Sequence, residues 1–267
     1  MAERLDVRLT DDQIEQFHTE GYTWVPRLTT DEELEWIRPI YDALFAEKRG
    51  AFKGGYFDLA RQYDADGEDL VPQVLMPELQ HPELRDTNIV RNARVIASQL
   101  LGLPDDQLKT WSHMILKPPH VGGPLPWHQD EAYWDTGFAY RALGVWVPLD
   151  PATLESGCMH FLPGSHTGPV RPHRHIGDDP AVHGLETDVD PADAARAVAV
   201  PLEPGGATFH HCRTLHMTPP NVSDHVRRAW ANEIQVEPVV LPEGERNDFP
   251  WVEAGKQAWD ARPVYRS

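Results

Sequence analysis

The fold is decided by residues 110–150, which have the sequence TWSHMILKPPHVGGPLPWHQDEAYWDTGFAYRALGVWVPLD. Short runs of apolar and aromatic residues alternate here with the turn-forming pairs Pro118-Pro119 and Gly122-Gly123. This spacing leaves no room for a helix between successive strands, so it argues against a parallel βαβ arrangement. We therefore predict a β-sandwich or a β-barrel.

The same alternation continues to about residue 240. Strands are predicted over 110–116, 127–133, 143–149, 159–162, 198–200, 207–211 and 226–236. The segment LPGS at 162–165 suits a type II turn, with Pro at its second position and Gly at its third. Residues 167–197 are rich in Pro, Asp, His and Gly and have no strong period. We interpret them as a long loop over one mouth of the barrel, here called the candidate lid.

The first hundred residues predict a helical part that precedes the strands. The sequences TDDQ at 10–13 and TDEE at 30–33 both fit the capping box at a helix start. An apolar stripe at helical spacing follows the second box, and Pro39 is expected to kink that helix. A third helix is predicted over 91–101. We expect one domain over 1–267, with a helical part at about 1–105, a β core at about 110–240 and the candidate lid at about 167–197.

Charge and composition limit the possible partners. The 267 residues include 24 Lys and Arg against 42 Asp and Glu, which gives a net charge of −18. Nucleic acids and anionic membranes both favour basic surfaces, so neither is expected as a partner. No stretch approaches the ~20 apolar residues of a membrane span, and the N-terminal residues lack the apolar core of a signal peptide. Two cysteines do not suggest a disulfide framework, so we expect a reduced, cytoplasmic protein; the sequence predicts no oligomeric state.

A candidate metal site centres on His128 and Asp130. These residues lie two apart in a predicted strand, where alternating side chains point to the same side. A His and a carboxylate from one strand, joined by a second His from elsewhere, form the facial triad of non-heme Fe(II) oxygenases. The candidates for the second His are His160, His166, His173, His175, His183, His210, His211, His216 and His225.

The segment LHMTPPNVSDHVRR at 215–228 favours His216. Residues 219–225 are dense in turn formers, so the chain is expected to double back and bring Arg227 beside His216. On the returning strand Arg227, Ala229 and Ala231 share one face, which leaves room for a ligand inside a barrel. A guanidinium grips a carboxylate through two hydrogen bonds, as the binding of 2-oxoglutarate beside an iron triad requires.

From about residue 113 to residue 230 the chain resembles the phytanoyl-CoA dioxygenase family of Fe(II)/2-oxoglutarate-dependent oxygenases. The order and spacing of several short motifs carry this resemblance. They are KPP at 117–119, PWHQD at 126–130, Trp146 before PLD at 148–150, ESGCM at 155–159, PGSH at 163–166, and His216 followed by Asn221, Ser223 and Arg227. The resemblance implies a mainly β fold with N-terminal helices, built on a double-stranded β-helix, the jelly roll of the cupin group.

The resemblance also implies a role for each residue of the site. His128, Asp130 and His216 become the ligands of Fe(II). Arg227, eleven residues after His216, becomes the clamp on the distal carboxylate of 2-oxoglutarate, and the Thr218 hydroxyl assists it.

Three further residues are placed near the cosubstrate by the same resemblance. Trp146 matches an aromatic residue of the pocket, although a Trp that points into a barrel is also a common core residue. Gln73 and His113 correspond, through a looser alignment, to other pocket positions.

Other prominent side chains receive structural interpretations. They comprise a turn histidine, two core histidines, a lysine that snorkels to solvent and two buried thiols without chemistry. These are His166, His210, His211, Lys117, Cys158 and Cys212. The histidines of the candidate lid are expected to be solvated: His173, His175 and His183. Three aromatic residues that flank the metal strand are candidates for a substrate pocket: Trp127, Tyr133 and Trp134.

The resemblance implies an enzyme that uses O2 to convert 2-oxoglutarate into succinate and CO2 while it oxidises an unactivated C–H bond. Hydroxylation is the commonest outcome in this class, and oxidative cyclisation, desaturation and epimerisation stay open. Related halogenases lack the carboxylate that Asp130 supplies, so halogenation is disfavoured. The alternatives of other classes are a non-catalytic cupin-type binding protein and a zinc-dependent hydrolase, and neither explains Arg227.

Charge also bears on the substrate. Coenzyme A thioesters carry several negative charges and would need a basic groove, which a net charge of −18 and an acidic candidate lid do not offer. We therefore predict a neutral or cationic small molecule. Nine tryptophans suit a secondary metabolite such as a glycosylated or polycyclic antibiotic precursor. The alternative is hydroxylation of an acyl-CoA.

Overall fold

The computed structural model describes residues 3–262 except residues 49, 51 and 64, so the predicted domain limits at residues 1 and 267 lie outside the described residues. The α-helices are α1 (Asp11–Glu20), α2 (Asp31–Ala46), α3 (Asn88–Leu101), α4 (Pro191–Ala194) and α5 (Pro250–Asp260). The strands are β1 (Tyr22–Val25), β2 (Tyr56–Asp58), β3 (Pro72–Leu75), β4 (Lys109–Lys117), β5 (Leu125–His128), β6 (Phe138–Ala139), β7 (Ala142–Pro148), β8 (Met159–Phe161), β9 (Arg174–His175), β10 (Leu185–Glu186), β11 (Val198–Val200), β12 (Ala207–His211), β13 (His216–Thr218), β14 (Arg227–Gln235) and β15 (Val239–Val240). Short 3-10 helices occupy Pro77–Leu79, Pro82–Asp86, Asp105–Gln107, Asp130–Tyr133, Ser165–Thr167, Ile176–Asp178 and Glu243–Glu245.

Two antiparallel sheets form the jelly roll. The large sheet has the strand order β1-β12-β7-β14-β4-β3-β2, and the small sheet has the order β11-β8-β13-β5. From β4 onward the chain passes repeatedly between these sheets, as it does in a double-stranded β-helix. The predicted fold, mainly β with N-terminal helices, is confirmed.

The outer face of the large sheet is covered by the N-terminal helices. Along β7, Leu143, Val145 and Val147 belong to the same buried cluster as the apolar faces of α2 and α3. Trp146, between them in sequence, belongs to a second cluster that lies between the two sheets. This alternation follows from the pleat of a strand, and it leaves the inner face of the large sheet for the site.

The two predicted helix caps are completed in different ways. At α1, Thr10 accepts a hydrogen bond from the Gln13 amide and the Gln13 side chain accepts one from the Thr10 amide, so this capping box is confirmed. At α2, Thr30 caps the helix, but the Glu33 carboxylate accepts hydrogen bonds from backbone N–H groups at the start of α3. The second predicted capping box is therefore only half confirmed: the hydrogen bond to the Thr30 side chain forms, but the Glu33 side chain does not bond back to the Thr30 amide.

The other predicted helix limits are close to those observed. α2 continues as one helix through Pro39 as far as Ala46. α3 begins at Asn88, three residues before the predicted start, because the Thr87 hydroxyl caps it there. It ends at Gly102, whose φ of 61° is the left-handed conformation that a C-terminal glycine adopts readily.

One predicted strand is wrong in its second half. Strand 127–133 stops at His128 as β5, and a 3-10 helix follows from Asp130 to Tyr133. The turn at 162–165 is confirmed: Gly164 has a φ of 75°, and the Ser165 N–H donates to the Leu162 carbonyl at 3.3 Å.

The candidate lid contains more regular structure than the predicted loop. It holds β9, β10, the helix α4 and a 3-10 helix, and β9 pairs with β10. His173 and His175 are each only 7% exposed, so the expectation that they are solvated is wrong. His183 is partly buried and shares a 3.0 Å hydrogen bond with the Tyr63 hydroxyl. Within the described part of the chain, the helices are too short or too polar to cross a membrane.

Candidate metal centre and cosubstrate pocket

Three side chains that the sequence singled out converge between the sheets. His128, the last residue of β5, is paired with His216, the first residue of β13. Asp130 follows β5 at the start of the 3-10 helix. Each of the three offers one ligand atom, and these atoms lie within 4.8 Å of one another. An imidazole–carboxylate–imidazole set of this size fits the facial arrangement that holds a divalent first-row metal.

Hydrogen bonds fix the orientation of both imidazoles. His128 Nδ1 lies 2.7 Å from the Pro126 carbonyl, and His216 Nδ1 lies 2.9 Å from the Thr214 carbonyl. Each Nδ1–H is therefore the donor, which leaves Nε2 as the unprotonated nitrogen that faces the shared space. Burial lowers the pKa of both histidines, so both rings are neutral, as metal ligands must be.

The third side chain of the set, Asp130, is ionised. Burial by itself raises the pKa of this carboxyl, but the surrounding imidazoles, with the hydrogen bond from His210 among them, outweigh burial and hold the pKa well below its ordinary value. Asp130 Oδ1 lies 3.4 Å from His216 Nε2. The carboxylate therefore presents a charged oxygen to the same space as the two imidazole nitrogens.

The chain that carries Asp130 is held on both sides. The Gln129 side chain accepts from the Arg171 amide and donates to the Arg213 carbonyl. The Glu131 carboxylate accepts two bonds from the Arg213 guanidinium, at 2.6 and 2.8 Å. The His173 ring accepts from the Gln129 amide at 3.1 Å. These contacts explain why the chain leaves the sheet after β5, and they tie the candidate lid to the metal-site turn.

Arg227 lines the same cavity as His128, Asp130 and His216, and its guanidinium is only partly hydrogen-bonded. The residue is 1% exposed, and its Nε and Nη1 have no hydrogen-bond partner among the described residues. The guanidinium carbon lies 5.2 Å from the centre of the Trp146 ring. Burial lowers the pKa of Arg227 to about 10, which keeps the group charged at neutral pH. A buried cation with unused N–H groups is suited to a carboxylate ligand.

Lys117 corrects a sequence-based expectation. It was expected to snorkel to solvent, but it is fully buried beside Arg227, its partner across β4 and β14. Its ammonium donates to the Thr218 hydroxyl at 2.8 Å and to the Thr218 and Pro219 carbonyls at 3.1 and 2.5 Å. Burial, with Arg227 nearby, lowers the pKa of Lys117. Because Thr218 accepts from Lys117, its hydroxyl hydrogen is left to point elsewhere.

The remaining predicted pocket residues differ in how directly they reach the cavity. Trp146 and His113 line it together with Thr218. Gln73 is buried and bonds to His113 Nδ1 through its Oε1, at 2.9 Å. Burial lowers the pKa of His113 to about 4, so this ring is neutral. Gln73 therefore acts on the cavity through the orientation of His113.

Two residues that line the cavity were not predicted as site residues from the sequence: His210 was interpreted as a core histidine, and Glu233 was not considered. His210, expected to be a core histidine, is buried, but its Nε2 lies 3.0 Å from Asp130 Oδ2. Glu233 is buried, lines the cavity, and has an Oε2 without a hydrogen-bond partner among the described residues. The alternation of side chains along a strand could have identified both residues. His210 points to the opposite face of its strand from the core residue Phe209, and Glu233 lies on the same face of its strand as Arg227.

The other side chains singled out in the sequence differ in their distance from the three converging residues. The Tyr133 ring lies 6.0 Å from the His128 ring, whereas Trp134 packs against Tyr140. His166 contacts the His18 carbonyl rather than its own turn. Both cysteines are free and buried, as predicted.

The sequence pattern of the phytanoyl-CoA dioxygenase (PhyH) family matches residues 17–229. The chain belongs to the phytanoyl-CoA dioxygenase family. This match spans the sheets as far as the third residue of β14, and it includes His128, Asp130, His216 and Arg227.

Individual members of the family, and proteins of the same fold, show how far the likeness extends. The crystal structure of EvdO2 from Micromonospora carbonacea var. aurantiaca, complexed with 2-oxoglutarate, is 38% identical with a TM-score of 0.79, and covers 93% of this chain and 99% of that chain. Phytanoyl-CoA dioxygenase domain-containing protein 1 of Mus musculus is 38% identical over 123 residues, which are 45% of this chain and 42% of that protein. The alignment thus spans less than half the length of this curated relative. SnoK, a non-heme alpha ketoglutarate dependent carbocyclase from nogalamycin biosynthesis, is 24% identical with a TM-score of 0.66 over 88% of this chain and 87% of its own, and shows likeness of fold alone.

Proposed function

We propose that this protein is an Fe(II)- and 2-oxoglutarate-dependent oxygenase that oxidises an unactivated C–H bond of a small molecule. Its metal ligands would be His128, Asp130 and His216. Arg227 would hold the distal carboxylate of 2-oxoglutarate. Membership of the family and the 2-oxoglutarate complex of EvdO2 support this proposal.

One observation carries the proposal: a three-ligand set and an unsatisfied guanidinium share a single cavity. The His128, Asp130 and His216 ligand atoms lie within 4.8 Å of one another, and the same cavity is lined by Arg227. A catalytically silent barrel has no use for a buried cation whose Nε and Nη1 are unpartnered. A hydrolytic zinc site could use the same three ligands, but it has no role for the guanidinium.

In this proposal the protein positions the reactants, provides charged groups that bind them, and excludes water from the cavity. Iron and 2-oxoglutarate, when bound, supply the O2-dependent oxidising power of the reaction class. The two imidazoles and the carboxylate would fix the metal on one side and leave its other positions open. The small side chains of Ala229 and Ala231 leave room along β14, and Trp146 walls the space beside Arg227. Apolar side chains such as Ile115 exclude water around the reacting carbon.

An aromatic cleft next to the metal ligands is the proposed binding surface for the substrate. It has a volume of about 520 Å³ and is lined by Tyr133, His183, Trp251 and Trp259, among others. Tyr133 stacks on His183 at 5.5 Å and its ring lies 6.0 Å from the His128 ring, so the Tyr133 ring separates the cleft from the proposed metal ligands. Aromatic walls suit a polycyclic or glycosylated molecule, and the carbocyclase SnoK, which shares the fold, is described as coming from nogalamycin biosynthesis. We therefore propose a secondary metabolite of this kind as substrate.

The proposal is tested by the turnover of 2-oxoglutarate. Purified protein is supplied with Fe(II), 2-oxoglutarate and air, and succinate formation and O2 consumption are measured. We expect both to depend on Fe(II), to be abolished in Asp130→Asn, and to persist in Asp106→Asn, which alters an exposed carboxylate of similar size. Absence of both succinate formation and O2 consumption with Fe(II) supplied would falsify the oxygenase proposal.

A further inference from the structure

The Asp130 carboxylate is shared between two different neighbours. Its Oδ1 faces the metal space, at 3.4 Å from His216 Nε2. Its Oδ2 lies 3.0 Å from Nε2 of His210, which projects from β12 and is 4% exposed. The two oxygens of one carboxylate are therefore held in different environments, one towards the metal ligands and one towards a buried imidazole.

His210 has the opposite proton arrangement from the two proposed metal ligands. His128 and His216 direct Nδ1 to backbone carbonyls and leave Nε2 bare. His210 directs Nε2 to the carboxylate, so Nε2 carries the proton, and its Nδ1 has no partner among the described residues. An unprotonated Nδ1 leaves no buried N–H unsatisfied. His210 is therefore arranged as a hydrogen-bond donor to Asp130 and not as a fourth metal ligand.

The space for this contact is provided by a glycine on the neighbouring strand. Gly144 of β7 is the partner of His210 across the sheet. A Cβ at Gly144 would lie 2.4 Å from His210 Nε2 and 3.1 Å from Asp130 Oδ2. The φ of Gly144 is not in the left-handed region, so its backbone conformation does not require glycine. What the position requires is the absence of a side chain between the imidazole and the carboxylate.

We propose that His210 is a positioning residue of the metal centre: its Nε2–H holds Asp130 Oδ2 and presents Oδ1 as the single carboxylate ligand atom. This inference rests on the proposed function, because it assigns a metal to the three-ligand set. Partners that orient a ligand without touching the metal commonly contribute about 10- to 100-fold in metal affinity.

The test is the affinity of the purified protein for Fe(II), measured without oxygen by competition with a chelator, in His210→Leu, His210→Gln and wild type. Leu removes the donor, whereas the Gln amide nitrogen reaches about as far as Nε2. We expect His210→Leu to bind Fe(II) about 10- to 100-fold more weakly and His210→Gln to recover most of the loss. Co(II) bound in place of Fe(II) provides a second readout, since its visible spectrum changes when the carboxylate binds through both oxygens.

Control variants separate this inference from general damage to the fold. Gly144→Ala, which intrudes on the contact while His210 stays in place, is expected to weaken Fe(II) binding in the same direction. His18→Leu changes an exposed histidine of α1 and is expected to bind Fe(II) like wild type. Should His210→Leu fail to fold, His210→Asn, whose amide is too short to reach Asp130, replaces it.

Two results would overturn the inference, and they differ from failure of the proposed function. The inference is wrong if His210→Leu binds Fe(II) as tightly as wild type, or if Leu and Gln weaken binding equally. In either case wild type would still bind Fe(II), and Asp130→Asn would still abolish succinate formation. A wild-type protein that binds no Fe(II) would instead remove both the proposed function and this inference.

Discussion

Arg227 lines the cavity with two guanidinium nitrogens that have no hydrogen-bond partner among the described residues, so its substitution tests its proposed role as the carboxylate clamp. Arg227→Met removes the charge and the donors, while Arg227→Lys keeps the charge and single N–H donors but loses the planar pair of donors that binds a carboxylate through two hydrogen bonds. Hydrogen bonds to charged groups contribute about 1.5–3 kcal/mol, so we expect the KM for 2-oxoglutarate to rise at least about 10-fold in the Met variant and less in the Lys variant. The measurement is succinate formation against 2-oxoglutarate concentration.

Two comparisons make this prediction specific to the clamp. Fe(II) affinity without 2-oxoglutarate should stay near the wild-type value in Arg227→Met, because the guanidinium does not touch the three-ligand set. Arg196→Met, which removes an exposed guanidinium, should leave the KM unchanged. An unchanged KM in Arg227→Met would contradict the assignment of Arg227 as the clamp.

Glu233 predicts a pH dependence of stability in the metal-free protein. Burial, with Asp130 nearby, raises the pKa of Glu233 well above its ordinary value. The folded state therefore holds the proton more tightly than the unfolded state, and stability falls as pH rises from the unfolded pKa of about 4.3 towards the raised folded pKa. The neutral Glu233→Gln does not titrate. Its melting temperature should exceed that of wild type by a margin that grows with pH, measured from about pH 5 to about pH 8.

The matched control for this pH series is Glu243→Gln, because Glu243 is exposed. Its melting temperature should follow that of wild type at every pH. A Glu233→Gln margin that stays constant with pH would mean that Glu233 ionises normally in the fold. A pH-dependent margin would identify a carboxyl that costs stability where it lines the cavity, as functional groups often do.

At the scale of single residues, the sequence could predict those contacts that depend on residues close together in the chain. His128 and Asp130 lie two residues apart, and a turn brings Arg227 back beside His216. The sequence could therefore predict that each of these pairs lies close together. The contacts of Lys117 could not be predicted in this way, because its carbonyl and hydroxyl partners are about a hundred residues away on β13 and just beyond it. Polar groups buried by distant pairing can be placed only when the register of the strands is known.

Among the secondary-structure elements, α2 and α3 are joined by one buried carboxylate in addition to their apolar faces. Glu33 is buried and accepts from the Asn88 amide at 2.7 Å and the Ile89 amide at 3.3 Å, at the positive end of α3. Glu33→Ala would leave these buried donors unsatisfied, at about 1–3 kcal/mol each. We expect it to lower the free energy of unfolding by about 3 kcal/mol, measured by urea denaturation with circular dichroism.

Two variants bracket this effect. Glu33→Gln keeps one acceptor oxygen and should fall between Glu33→Ala and wild type. Thr30→Ala removes only the cap of α2 and should cost about 1 kcal/mol. A Glu33→Ala protein no less stable than Thr30→Ala would show that the two helices do not depend on this carboxylate.

The same contact shows why the sequence predicted the helices correctly but not all of their hydrogen bonds and ends. Thr30 and Glu33 satisfy the local capping pattern, but the buried amides of α3, more than fifty residues away, are the stronger partners for Glu33. The end of β5 has the same origin, because Gln129 and Glu131 bind Arg213 and the candidate lid instead of continuing the sheet. Local propensity therefore predicted the elements, and tertiary hydrogen bonds moved their ends.

For the whole molecule, the structure refines the argument from charge. Much of the acidic character of the candidate lid is paired: Arg174 contacts Glu186 and Asp188, and Arg196 contacts Asp193. The cations Lys117 and Arg227 are buried, so neither offers a surface charge that could bind phosphates. Local pairing thus weakens the repulsion near the cleft without creating a basic groove, and the net charge of −18 acts at longer range.

This distribution predicts that an acyl-CoA is a poorer substrate than the same acyl group on pantetheine, which lacks the nucleotide phosphates. Succinate formation is measured with both thioesters at low and high salt. We expect acyl-CoA to give the weaker stimulation, and any stimulation it gives to improve with salt, because ions screen repulsion beyond the Debye length of about 10 Å at 0.1 M. A matched neutral glycoside shows whether the cleft accepts uncharged molecules. If acyl-CoA were the better thioester and lost its advantage in salt, attraction to a basic surface would be established, and the charge argument for a neutral metabolite would fail.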